Sequence, residues 1–317
     1  MRVLVTGANG FVGRALVPLL AERGHHVRAA VRKAGTVVPD AAETVAIGDI
    51  GPDTDWHRAL DGIDAVAHLA ARVHVMKDTA ADPLAAFRAV NTDGTRRLAE
   101  QAAASGVRRF VYLSSIKALV DESQPRPLDE ATPADPHSPY GVSKLEAEQA
   151  LAGIAADSGL EVAVIRPPLV YGPGVAGNFR SLLKLVASGL PLPLGGLDNR
   201  RSLIFVGNLA DAAALCLTHP GASGGHFLVH DGQPLSTAEL VRAIGTAIGR
   251  PARLVPLPAG LLALGARLAG KQAVYDRIAG SLTIDDRAIR DRLGWRPPHD
   301  PASGLRATAE WFKASRG

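Results

Sequence analysis

Val3-Leu4-Val5-Thr6-Gly7-Ala8-Asn9-Gly10-Phe11-Val12-Gly13 is the stretch on which the reading of this chain turns. A short aliphatic run of this kind reads as a buried strand. It passes directly into three glycines, each separated from the next by two residues, and then into a helical pattern over Val12–Arg23 that stops at Gly24. Glycines at a strand-to-helix junction let the backbone approach a pyrophosphate. The helix start adds unpaired N–H groups and the positive end of a dipole. Gly7, Asn9, Gly10, Phe11, Val12 and Gly13 are therefore candidate ligands of a dinucleotide.

Downstream, short β-branched runs alternate with longer helical patterns, the signature of βαβ units and a parallel sheet. Strands are expected at Val3–Thr6, Val27–Val31, Thr44–Ile47, Ala65–Leu69, Arg109–Ser114 and Val162–Arg166, with helices at Val12–Arg23, Asp82–Ser105 and Tyr140–Ser158. After Arg166 the texture changes to Pro167-Pro168, Gly172-Pro173-Gly174 and Leu190–Gly196, punctuation that marks loops and a different lobe. The expected fold class is α/β, a doubly wound parallel sheet over 1–170 with a smaller C-terminal substrate-binding lobe over 171–317, some of whose segments return to the sheet. Ser236-Thr237-Ala238-Glu239 reads as a capping box opening a helix to Ile248, and Pro301–Ala314 as a closing helix. The leucine-rich stretch Leu257–Gly270 is read as a core or dimer-interface helix in preference to a membrane-surface one.

Composition narrows the partners. With 35 Lys and Arg against 31 Asp and Glu the net charge is only +4 and is spread along the chain, which argues against nucleic acid and suits anionic small ligands. The single cysteine, Cys216, lies in an apolar run and reads as a small buried hydrophobe. No metal-ligand motif and no Gly-Lys-Ser/Thr phosphate loop is found. Neither a secretion signal nor a bilayer-length apolar run is seen, so the expected location is cytoplasmic, with no membrane insertion.

The second informative stretch is Tyr140-Gly141-Val142-Ser143-Lys144, just after Pro139. Four-residue spacing puts Tyr140 and Lys144 on one helix face. An ammonium beside a phenol is expected to lower its pKa from ~10 and make it usable as a proton donor or acceptor near neutrality. Ser114-Ser115 ends a predicted buried strand, at the edge where open parallel sheets place ligands.

The Gly-x-x-Gly-x-x-Gly turn together with Ser115, Tyr140 and Lys144 resembles the short-chain dehydrogenase/reductase superfamily, in its extended form, and within it the NAD-dependent epimerase/dehydratase family. That resemblance implies a Rossmann-type fold, a catalytic set of Ser115, Tyr140 and Lys144, and NAD or NADP as cofactor. It implies that Asp49 and Ile50 sit by adenine, that Leu69, Ala70 and Ala71 border the ribose and pyrophosphate, and that Lys144 holds the nicotinamide ribose. Asn91 matches a segment that anchors the central helix, and Arg166–Gly174 match the Arg-Pro-x-x-x-Tyr-Gly-Pro-Gly loop beside nicotinamide, with Pro167 a candidate cofactor contact. Asn178 and Phe179, with Arg201 and, more weakly, Arg277, match nucleotide-sugar contacts. A homodimer and a role in cell-surface polysaccharide synthesis are further implications.

Two departures bear on the reaction. The second strand ends at Val31-Arg32-Lys33 without the acid that an NAD-preferring site uses on the ribose, which tilts the expectation toward NADP held by Arg32. The Thr-Asp-Glu triplet of the sugar 4,6-dehydratases is missing, which disfavours water elimination. Hydride transfer at carbon 4 of a UDP-sugar follows, with 4-keto reduction preferred and 4-epimerisation on a retained NAD as the alternative. A non-catalytic nicotinamide-binding regulator is the reading from another class. His74-Val75-Met76-Lys77-Asp78 is read as a loop above the cofactor.

Overall fold

Alternating side chains of one strand decide how this fold is layered. In the computed structural model, which describes residues 1–73, 81–124 and 126–315, Val3 and Val5 face one apolar layer while Leu4 faces the other. A strand buried on both sides belongs in the middle of a parallel sheet. The run from His74 to Asp78 falls outside the described residues.

In chain order the first part comprises β1 (Arg2–Thr6), α1 (Gly13–Glu22), β2 (His26–Val31), β3 (Glu43–Ala46), α2 (His57–Leu60), β4 (Ala65–His68), α3 (Pro83–Arg88), α4 (Gly94–Ala104), β5 (Arg109–Leu113), α5 (Pro139–Ser158) and β6 (Glu161–Arg166). It continues through β7 (Leu169–Tyr171), α6 (Gly177–Ser188), β8 (Leu203–Phe205), α7 (Val206–Thr218) and β9 (Gly225–Leu228). The last part holds α8 (Thr237–Ile248), α9 (Ala259–Leu268), α10 (Gln272–Ala279), α11 (Arg287–Leu293) and α12 (Pro301–Ala314).

The seven-stranded sheet has the order β3-β2-β1-β4-β5-β6-β9, and every neighbouring pair is parallel. This is a Rossmann-like α/β fold. Strand order reverses between β1 and β4, so the crevice at their carboxyl ends is the switch point where open α/β sheets bind ligands. Leu16, Val17 and Leu20 of α1 with Leu209, Ala213 and Cys216 of α7 cover one face. Trp56, Leu98, Ala102, Ala147 and Leu151 cover the other around Phe110 and Tyr112. A separate apolar cluster built on Phe179, Leu183, Leu203, Leu240, Ile244 and Phe312 forms the smaller lobe. β9 and α7 follow residue 171 in sequence yet belong to the sheet layer, so the chain crosses between the two parts more than once.

Two expectations need correction. The helix foreseen over Asp82–Ser105 is interrupted by a π-helical segment, Ala89–Asp93, between α3 and α4. Such wide turns re-aim side chains, and here Asn91 is turned inward, where its Nδ2 donates to Ser143 Oγ at 3.0 Å. The leucine-rich α9 is not a core helix, since none of its residues is buried. Its sequence is apolar on nearly every side, and a short helix with only Leu262 resting on the lobe cluster leaves the remaining leucines outside.

Candidate active site

The turn from Gly7 to Gly13 is built where backbone crowding leaves no room for a side chain. Gly7 has φ +66°, and a β-carbon there would lie 2.9 Å from the Ala70 nitrogen. One on Gly13 would lie 2.3 Å from the Gly7 carbonyl oxygen. α1 begins with no side chain capping its N–H groups, so the helix start is left open to an anion. These features fit the pyrophosphate of a dinucleotide. Phe11 and Val12 pack against the smaller lobe, and the Asn9 carbonyl accepts a bond from Arg14 Nε at 3.0 Å.

Behind the turn, β1 and β4 are stapled by His68. Its Nδ1 is 2.7 Å from Thr6 Oγ1 and its Nε2 2.9 Å from Thr95 Oγ1, while the Ala70 N–H donates to Thr6 Oγ1 at 3.2 Å. Leu69, Ala70 and Ala71, half-buried, thereby line the crevice beside Gly7. Burial, assisted by the Lys144 charge, pushes the His68 pKa down from 6.5 to about 3, so the ring is held neutral. The folded pKa is depressed, so unfolded chain takes up the proton first and stability falls as pH drops from 6.5 toward about 3. Between pH 6.5 and about 5, before carboxylates titrate, His68 is expected to account for about 2 kcal/mol of lost stability. Melting curves of wild type and His68→Gln over that interval check this; parallel slopes would refute it.

At the carboxyl end of β2 the structure gives Arg32 a partner. Its Nε lies 2.9 Å from Asp49 Oδ1, with both side chains largely exposed. Ile50 packs over the start of α4, where a β-carbon on Gly94 would come within 2.5 Å of its Cγ2.

Ser115, Tyr140 and Lys144 converge at the carboxyl end of β5. Ser115 hydrogen-bonds Tyr140. The Tyr140 ring meets Phe87 edge-on at 6.0 Å. Lys144 is fully buried, donates from Nζ to the Leu113 carbonyl at 2.7 Å and stands 4.2 Å over the Tyr112 ring. The electrostatics differ from the sequence reading. Burial pushes the Tyr140 phenol up to about 12 against the opposing bond from Ser115. It pushes Lys144 down to about 7, only partly offset by Glu148. Desolvation thus outweighs the tyrosine–lysine attraction expected from spacing alone, and Tyr140 stands as a protonated phenol.

A strap from Ser115 to Asp121 fixes both ends of this set. Ile116 N–H donates to the carbonyl of the buried Pro167 at 3.0 Å. The Asp121 carboxylate accepts from the N–H groups of His137 and Ser138 at 2.6 and 2.7 Å and from Ser138 Oγ, just before Tyr140. Burial opposes its charge, but the bonds from Ser138 and His137 prevail and hold the carboxyl below its ordinary range. Beneath the set, Arg166 donates to Glu148 from Nε and Nη2, and Ser114 Oγ bonds the same carboxylate. Glu148 escaped the motif search, and Arg166 entered it only as the first residue of the Arg-Pro loop, without its partner. Their signal was a charge on the buried face of α5 and another ending the apolar strand β6.

The substrate candidates are distributed over the lobe. Asn178 is exposed in the first turn of α6, whereas the Phe179 ring is buried and stacked on Tyr171 at 5.3 Å, leaving only its backbone for a ligand. Arg201 bonds the carbonyls of Arg277 and Gly280. Burial, then the Arg277 charge, lowers its pKa, so the lobe holds two cations close together with no acid paired to either among the described residues. Cys216 is buried and its thiol is pushed up to about 12, an inert packing residue.

Residues 3–229 match the model of the NAD dependent epimerase/dehydratase family. The chain is 42% identical over 313 residues to a UDP-glucose 4-epimerase of Vibrio cholerae, covering 98% of this chain and 95% of that one. Among solved structures it is similar to MoeE5 in complex with UDP-glucose and NAD, with a TM-score of 0.77, 27% identity and full coverage of both chains. A Thermotoga maritima UDP-glucose 4-epimerase with UDP-glucose shares the fold at a TM-score of 0.78 and 24% identity, again over 100% of both chains.

Proposed function

The chain is an enzyme of the NAD-dependent epimerase/dehydratase family, and from that premise we propose that it interconverts the carbon-4 epimers of a UDP-sugar on NAD that stays bound. The Ser115–Tyr140 hydrogen bond at the carboxyl end of β5 carries the chemistry, and the likeness to the Vibrio cholerae enzyme over nearly both whole chains supports this choice of reaction. It favours epimerisation over the 4-keto reduction preferred on sequence. That preference leaned on Arg32 as a 2′-phosphate ligand, and the guanidinium is engaged by Asp49, whose carboxylate would repel a phosphate there.

When bound, the nicotinamide cofactor supplies the reversible redox chemistry at carbon 4. Gly7, Gly10 and Gly13 with the start of α1 would hold its pyrophosphate, Asp49 and Ile50 would border adenine, Leu69, Ala70 and Ala71 would line the ribose and pyrophosphate, and Pro167 would sit by the nicotinamide. Tyr140, a phenol at neutral pH, first gives up its own proton to solvent; the phenolate Oη then takes the 4-hydroxyl proton and returns it when the hydroxyl is re-formed. Ser115 bonds the same sugar oxygen and steadies its charge. Lys144 holds the nicotinamide ribose and, as ammonium, favours the transient phenolate. Arg201 and Arg277, helped by Asn178, grip the diphosphate, so the sugar can turn over while its carrier stays fixed. The substitute role of a non-catalytic regulator has no use for a serine–tyrosine pair set beside a buried lysine.

Purified protein heated to release its ligands is expected to yield stoichiometric NAD, and untreated protein to convert UDP-galactose to UDP-glucose without added cofactor. Protein that arrives free of nucleotide and consumes NADPH with a 4-keto sugar would overturn the epimerase reading.

A further inference from the structure

We propose that α9 is a peripheral docking surface for anionic lipid membranes. Leu261, Leu264 and Leu268 follow one another at helical spacings that share a face, and they are 56%, 54% and 81% exposed. Exposed leucines occur singly on most proteins, but three on one face of one helix are unusual. The helix is tied down on its other side, by Leu262 against the lobe cluster and by Tyr275 Oη of α10 donating to the Ala259 carbonyl at 3.2 Å. Val274 of α10 extends the apolar surface, 51% exposed.

Charge decides what covers this face. Between Glu239 and Asp276 the sequence contains no acidic residue, while Arg242, Arg250, Arg253, Arg267 and Lys271 supply five cations. These exceed the whole chain's net charge of +4. Arg250 is spent in part on the Ala187 carbonyl at 2.7 Å, but Arg267 and Lys271 are exposed at the C-terminal end of the leucine face. The first acid, Asp276, is bonded to Gln272 at 2.8 Å on the neighbouring helix. A short leucine-faced helix edged by cations lies in the headgroup boundary of an acidic bilayer, its apolar side toward the acyl chains and its cations on phosphate. A second copy of this chain fits less well, because a two-fold contact pairs this patch with itself, and the stretch 240–275 offers no acid to meet Arg267 and Lys271. No helix among the described residues is long and apolar enough to cross a membrane, so the contact is at the surface.

Flotation of the full chain with vesicles tests this. At low salt the protein is expected to float with phosphatidylcholine vesicles containing phosphatidylglycerol and to stay behind with phosphatidylcholine alone. Leu264→Ser with Leu268→Ser should abolish flotation, and Arg267→Gln with Lys271→Gln should weaken it by roughly tenfold or more. UDP-sugar turnover in solution should be unchanged in both variants, and circular dichroism should report an intact fold. Failure of wild type to float with the acidic vesicles overturns the proposal. So does a concentration-dependent dimer that the leucine variant dissociates, since α9 would then face a second copy.

Discussion

Tyr140→Phe is expected to lower kcat for UDP-sugar interconversion by roughly a hundred- to ten-thousand-fold, with KM and bound NAD nearly unchanged. The substitution deletes one oxygen and little else. The ring keeps its edge contact with Phe87, and α5 keeps its Ser138 cap, which bonds the Gly141 N–H at 3.1 Å. What is lost is the hydroxyl on α5 that hydrogen-bonds Ser115 and carries the exchangeable proton. Steady-state kinetics with quantified NAD content decide the matter. Activity within tenfold of wild type would remove Tyr140 from the proton path, whereas loss of NAD together with activity would make it a binding residue. The proton balance also explains why burial is tolerated here. A phenol pushed up to about 12 is a weak acid in the resting chain, and the ammonium of Lys144, which burial weakens to about 7, gains most from a phenolate formed beside it.

The fold was legible because its signals are local. The unbroken apolar run of β1, glycines that crowding requires at positions 7 and 13, and the Ser236 capping box can all be read from a few adjacent residues, and each appears where expected. Ser115 and Tyr140 were legible for another reason: strand ends and a proline-started helix fix where their side chains emerge. What escaped depends on contacts between distant segments. Nothing near Arg32 announces that Asp49 will engage it. The Glu148–Arg166 pair joins a helix to the following strand and reads in sequence as two ordinary charges. Electrostatics escaped for the same reason, since spacing places Lys144 near Tyr140 but says nothing of how deeply both are buried. Leucines in α9 show the converse failure, because an apolar pattern records affinity for a nonpolar surface and leaves open whether this chain provides it.

Glu148→Ala is expected to cost about 3–5 kcal/mol of stability and to lower Tm by roughly 6–15 °C. Glu148 follows Lys144 by one helical turn on the buried face of α5. Its carboxylate receives Arg166 Nε at 3.1 Å and stands 3.9 Å from His226 Nε2, while the guanidinium and Ser114 have it as their bonded acid. Both members of the ion pair are almost wholly buried, so deleting the acid strands a desolvated guanidinium. Replacing both, as Glu148→Leu with Arg166→Met, should recover most of the loss, because no uncompensated charge then remains. A melting temperature for Glu148→Ala within 2 °C of wild type, allowing for scatter of about that size, would show that the pair contributes little. Glu148→Gln separates a positioning role from a purely structural one. The amide retains an acceptor for Ser114 but removes the negative charge that raises the Lys144 pKa. Lys144 would then lose its proton below its present value of about 7, and activity that depends on the ammonium should fail at lower pH than in wild type. Stability carries the matching sign. A lysine whose folded pKa lies below 10.5 leaves more protons on the unfolded chain between about 7 and 10.5, so its burial penalty is relieved as pH rises through that window. In Glu148→Gln the window opens at lower pH. An unchanged alkaline limb in the rate profile, with stability alone reduced, would leave Glu148 as packing and sever it from the chemistry of Lys144.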